Sequence, residues 1–198
     1  MGFGFDKNTL EQTDSKFIKV GIQENLEVKE IKFNPAEGAL PSSLEITLVQ
    51  KAEDGSEVTA SRKYFEPSLG EFNKTEEELE KARTKFSKIV KNFCTKFLGE
   101  QCEIPAQPSF EAFCKKAIAD IGVRYKGVKV RGVIVYNNAG FPTLRAFSPV
   151  VELMSVPKEQ SKLKLGDYDL VVAPSTPAKP VAQAPVGNTG LPATENIF

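Results

Sequence analysis

Apolar and polar residues alternate along the first third of the chain and fall at helical spacing along the middle. From 16 to 33 the pattern is extended. Phe17, Ile18, Val20 and Ile22 come first, with Gly21 as a bend. Leu26 and Val28 then take one parity, and Ile31 and Phe33 the other. A switch of parity inside one strand predicts a bulge near Lys29 and Glu30, because side chains alternate strictly between faces. After a loop from Asn34-Pro35 to Pro41-Ser42, Leu44, Ile46 and Leu48 alternate with Glu45 and Thr47 as a half-buried strand. Asp54-Gly55 is a hairpin signal. A return strand follows over 57–65 and stops at Glu66-Pro67.

The period then changes. Thr75 and Glu78 form a capping box, and Leu79, Ala82, Phe86, Ile89, Val90, Phe93 and Phe97 mark one helical face that Gly99 ends. After Pro105 and Pro108, Ser109 caps a second helix, whose stripe is Phe110, Phe113, Cys114, Ala117, Ile118 and Ile121, ended by Gly122. Two such helices in succession read as a helical hairpin. Strands return over 127–136 and 143–154, separated by the turn-rich 137–142, and 168–172 is expected as a last edge strand.

Three strands, a helical pair and two strands, with a long bent first strand, describe a mainly β, α+β architecture. It is an OB-fold-like five-stranded Greek-key barrel with a helical hairpin (about 75–122) between strands three and four. The expected domain spans 16–173, with a flexible arm over 1–15 and a tail over 174–198. A generic α+β domain of the same composition is the competing reading.

Composition narrows the chemistry. Lys and Arg number 26, as do Asp and Glu, so the net charge is zero and a nucleic-acid case must rest on local patches. The chain has no His and no Trp. The commonest general base and zinc ligand is therefore missing. Cys94, Cys102 and Cys114 lack CxxC spacing and fit a helical core in a reducing compartment. No phosphate-cradling GxxxxGK[ST] run and no GxGxxG fingerprint occur. Asp167 and Asp169 share a face in an extended segment but lack further oxygen ligands nearby. Nothing argues for an enzyme or a cofactor. The first residues carry no basic and apolar leader, and no apolar run reaches membrane-spanning length, so a cytoplasmic protein is expected.

Local charge is more telling. The 31 residues from Ile121 to Val151 contain no Asp or Glu, yet hold Arg124, Lys126, Lys129, Arg131 and Arg145. With Val128 and Val130 inward, Lys129 and Arg131 face outward together; with Leu144 inward, Arg145 and Phe147 do the same. Tyr136 and Phe141 flank the loop between the last two barrel strands, which OB-folds use for oligonucleotides. On the third strand, Arg62, Lys63, Tyr64 and Phe65 offer cations and rings. Strict alternation places Lys63 and Phe65 outside, and Arg62 and Tyr64 outside only if a bulge intervenes. Cations beside rings suit single-stranded nucleic acid: the cations meet phosphates and the rings stack on bases. The competing reading is a solvated strand face with the rings in the core.

The tail from 174 is rich in Pro, Ala, Val, Gly and Thr, too poor in large apolar groups to offset the entropy of ordering, and is expected to be disordered. It closes on Glu195-Asn196-Ile197-Phe198. The strand and helix order over 16–154, the Pro/Gly-rich tail and this tip together resemble the single-stranded DNA-binding proteins, particularly those encoded by bacteriophages. The resemblance implies a body that coats exposed strands without strong sequence preference during replication and recombination. It also implies a tip that recruits partner proteins, with Phe198 in an apolar pocket, Glu195 against basic residues and Ile197 adding apolar contact. The alternative is a protein-interaction or assembly module of a phage that binds no nucleic acid. Self-association is compatible with either.

Overall fold

The computed structural model describes residues 17–52, 55–70 and 72–173. Strand β1 (Gly21–Asn34) runs antiparallel to both β2 (Ser43–Lys51) and β4 (Lys129–Tyr136). Strand β3 (Glu57–Phe65) pairs with β2, and β4 pairs with β5 (Pro142–Leu144) and β6 (Val151–Leu153). The order is β3-β2-β1-β4-β5, with β6 beside the start of β4. Side chains bridge the remaining gap between β3 and β5. Thr143 Oγ1 donates to the Ser61 carbonyl (2.6 Å), and Arg62 Nη1 donates to the Leu144 carbonyl (2.8 Å). The result is a nearly closed five-stranded antiparallel barrel of the OB type, with β5 and β6 as two halves of the fifth strand.

The expected bulge in β1 is present: Val28 faces Leu48 and Glu30 faces Thr47, so Lys29 is the extra residue. A second register shift, which the sequence pattern does not predict, falls between Gln23 and Leu26; Asn25 occupies it with φ 58°. The two shifts bend one strand far enough to serve both sides of the barrel. Gly132 lets the walls meet: a Cβ there would lie 3.0 Å from Leu26 Cδ1 and from Leu48 Cδ1.

Helix α1 (Glu76–Leu98) starts at the Thr75 capping box, with Glu76, Glu77 and Glu78 in the first turn, where the helix dipole favours anions. It buries Leu79, Phe86, Ile89, Val90, Phe93 and Cys94. Helix α2 (Phe110–Ile121) is capped by Ser109 and buries Cys114, Ala117 and Ile121. These faces join Ile46, Leu48, Val130, Ile134 and Leu144 in one core. Asn92 ties α1 to the broken strand: its Oδ1 accepts from the Val150 and Val151 amides (3.0 and 3.1 Å), and its Nδ2 donates to the Val151 carbonyl (3.3 Å). No helix among the described residues is long and apolar enough to cross a membrane.

Three expectations are corrected. The strand expected over 143–154 is interrupted at 145–150. Pro149 has no N–H to give a ladder, and the chain loops outward opposite Val133, whose amide reaches the Val150 carbonyl while its own carbonyl accepts from Arg145. The edge strand expected over 168–172 is irregular chain, held by a bond from the Tyr136 amide to the Leu170 carbonyl (2.7 Å). Strand β4 begins at Lys129 rather than 127, because 123–127 turns and Gly127 takes φ 73°. Asp54 and the expected arm and tail lie outside the described residues.

Candidate nucleic-acid interface

The outer face of β4 is not open. Residues 154–173 run back across it as a strap, and Leu163 packs on Val133 and Val135, with Ile22 alongside, in a second small cluster. Alternation puts Lys129 and Arg131 on this outer side, as expected, but their surroundings differ. Lys129 is exposed and ion-paired to Glu27. Arg131 is buried, donating from Nε to Glu24 Oε1 and from Nη1 to Glu152 Oε2, both at 3.0 Å. Arg145 is buried as well. Its Nε donates to Asp169 Oδ1 (2.9 Å), its Nη2 to Asp169 Oδ2 and the Lys164 carbonyl, and its Nη1 to the Pro149 carbonyl (3.2 Å). The outward exposure expected of Arg131 and Arg145 is thereby corrected. Three of the five cations in the acid-free window, Lys129, Arg131 and Arg145, thus meet carboxylates from outside it: Glu24 and Glu27 on β1, Glu152 just past its end and Asp169 on the strap.

These carboxylates are tuned by their cations. Burial pushes the Glu152 carboxyl up, but the Lys162 amide, the Ser161 hydroxyl and the Arg131 guanidinium outweigh it and hold the group below the usual carboxylate value. Glu24 is lowered by its hydrogen bond with Lys158, against a smaller desolvation effect and with help from Arg131. Cys94 and Cys114 are pushed up to about 12 by burial, so neither is a thiolate at neutral pH. Among the described residues no group of three or more His, Cys, Asp or Glu is placed to hold a metal ion, and Asp169 is committed to Arg145.

On β3 the register with β2 is unbroken, so strict alternation holds. Lys63 and Phe65 are exposed. Tyr64 points into the core and donates from its hydroxyl to the Arg145 carbonyl (2.7 Å); its burial drives the phenol pKa upward. The bulge that would turn Arg62 and Tyr64 outward is absent, and Tyr64, expected among the nucleic-acid contacts, is corrected to a core residue. Arg62 has inward parity, yet it sits at the seam between β3 and β5 and is half-buried.

That seam opens into a cleft of about 480 Å³. Arg62, Tyr136, Asn137, Phe147, Tyr168 and Asp169 are among its walls. Tyr136 ends β4; Phe147 lies on the loop that interrupts the fifth strand, with its ring centroid 4.7 Å from Arg145 Cζ; Tyr168 comes from the strap and is 89% exposed. The loop after β4 is braced by Asn137, whose Oδ1 accepts from the Ala139 amide (3.0 Å) and the Phe141 amide (2.9 Å). Its far side carries Phe141, tilted against Phe17 with centroids 6.2 Å apart. Arg62 uses one guanidinium donor on Leu144 and enters no ion pair among the described residues. A guanidinium has five such donors.

Of the residues singled out in the sequence, Arg62, Tyr136 and Phe147 meet around this cleft, with Arg145 behind Phe147. Lys63 and Phe65 lie on the other side of Arg62, while Lys129, Arg131 and Phe141 stand apart from the cleft. The sequence places Tyr168 only in an expected edge strand, since it has no periodic neighbours; the fold of the strap alone brings it here. Glu195, Ile197 and Phe198 lie outside the described residues. Comparison of the chain with protein-family models, with curated proteins and with solved structures finds no match.

Proposed function

We propose that this chain binds single-stranded DNA without strong sequence preference, coating strands exposed in replication and recombination, and recruits other proteins through its C-terminal tip. The observation that carries the reading is the cleft at the barrel seam, where Tyr136, Phe147 and Tyr168 stand beside Arg62. Aromatic faces accept any base by stacking, and a guanidinium meets phosphate without reading base edges. The cleft opens beside the loop between the last two barrel strands, a position OB barrels use for oligonucleotides. Unpaired DNA fits better than duplex, because only unstacked bases expose a face to a ring.

The test is oligo-dT binding by fluorescence anisotropy, with a duplex of equal length as control. Replacing Phe147 and Tyr168 together by Ala is expected to weaken oligo-dT binding by about 2 kcal/mol or more, since stacking contributes about 1–3 kcal/mol per base. Equal affinity for duplex and single strand, unmoved by the double variant, would refute the reading. Deleting residues 195–198 is expected to spare oligo-dT binding and remove capture of replication or recombination proteins.

One observation favours the second reading, a protein-interaction or assembly module. Lys129, Arg131 and Arg145 are all engaged with carboxylates, so they offer less to phosphates than the sequence suggests.

A further inference from the structure

Beyond Arg62 a second groove begins. It has a volume of about 570 Å³ and shares Arg62 and Ala146 with the aromatic cleft, so the two surfaces are continuous across the seam. Its floor is apolar, with Tyr64, Phe86 and Ile89 beneath. Its rim holds Phe65, 45% exposed, and Phe72, 90% exposed. Two cations border it, Lys63 from β3 and Lys85 from α1, and neither enters an ion pair among the described residues. Glu66 is the one acid among its described lining residues.

A Phe that is 90% exposed and has no apolar cover among the described residues is unfavourable surface for a chain that only needs to stay folded. Rings for bases and cations for phosphates recur here in the combination found across Arg62, and one strand of polynucleotide can run through both. We infer that the bound single strand continues from the aromatic cleft over Arg62 into this groove. There Phe65 and Phe72 stack on further bases, and Lys63 and Lys85 contact the phosphates between them. The inference rests on the reading of the cleft as a single-strand site and extends it: the site has two arms joined at Arg62, one walled by the strap and the other by α1.

Because the arms are separate, strand length separates their contributions. The experiment titrates the full chain with oligo-dT of about 4 and about 20 nucleotides, lengths that bracket the site sizes of OB barrels. Phe72→Ala is expected to weaken binding of the long oligonucleotide about tenfold, as for the loss of one stacked base, and to leave the short one, held in the cleft, within twofold. Lys63→Gln with Lys85→Gln is expected to flatten the slope of log affinity against log salt for the long oligonucleotide by about 1.4, at about 0.7 per phosphate contact. Phe72 and both lysines are exposed, so melting curves of the variants are expected to overlay the parent's. Variants that bind the long strand like the parent, while Phe147→Ala with Tyr168→Ala weakens binding, would overturn the second arm and leave the cleft standing. Absence of binding by the parent at either length would overturn the cleft itself. Loss of affinity for both lengths alike on Phe72→Ala would also overturn the two-armed site.

Discussion

The strap that carries Tyr168 is fastened by a buried ion pair, and Asp169→Asn tests that fastening. The side chains of Arg145 and Asp169 are 4% and 1% exposed. Asp169 accepts two bonds from the guanidinium and a third from the Gly166 amide (2.8 Å). Removing one partner of a buried pair costs about 3–5 kcal/mol, because the remaining charge stays desolvated. Asn keeps one oxygen of the two, and Arg145 keeps the carbonyls of Lys164 and Pro149, which places the loss near the lower figure, about 3 kcal/mol. The first motion to feel it is detachment of the strap. The Tyr136 amide reports this directly, since its acceptor is the Leu170 carbonyl. Hydrogen exchange at Tyr136 is expected to speed up by a factor of about 100, while the slowest amides of β2, which open only with the whole fold, speed up by no more than that and stay better protected than Tyr136. Oligo-dT affinity is expected to fall with it, because Tyr168 leaves the cleft wall. Unchanged protection at Tyr136 would refute the claim that this pair holds the strap.

Three further outcomes follow from the packing and charge. Asn92→Ala removes three bonds to Val150 and Val151 and is expected to destabilise the fold by about 2–3 kcal/mol, read as a lower urea midpoint at constant slope. Gly132→Ala drives a methyl against Leu26 and Leu48 and is expected to cost about 1–2 kcal/mol in the same assay; an unshifted midpoint would show that the walls do not meet there. Glu152 has a native pKa below its ordinary 4.5, so the unfolded chain takes up the proton more readily. Its contribution is therefore complete above about pH 4.5 and is lost as pH falls through the lowered native value. Glu152→Gln is expected to lower stability at neutral pH and to flatten its acid dependence, followed by thermal melts over a pH series.

Local rules carried much of this architecture. The parity switch at Lys29, the capping box at Thr75 and the apolar stripes of both helices each depend on residues within a few positions of one another, so the sequence displays them. The return strand over β3 was legible for the same reason. The fifth strand was not, because its break depends on how Pro149 meets β4. The candidate site was half legible. Arg62, Tyr136 and Phe147 were singled out by residue type, and alternation gave the correct side of the sheet for Lys129 and Arg131. Burial of Arg131 and Arg145 was invisible, since it depends on a strap with one core residue, Leu163, and no period. A window free of acids says nothing about carboxylates that arrive from β1, more than 100 residues away in sequence for Glu24 and Arg131.

Tyrosine fluorescence tests the central claim most directly. The chain has four Tyr and no Trp; Tyr64 is buried in the core and Tyr125 packs against Phe97, which leaves Tyr136 and Tyr168 in the cleft. Titration with oligo-dT is expected to quench the signal, with salt weakening the binding, and Tyr168→Phe is expected to lose much of the quench while retaining affinity, because Phe stacks equally well. A strand that binds without quenching, or a quench untouched by Tyr168→Phe, would contradict stacking of bases in the seam cleft.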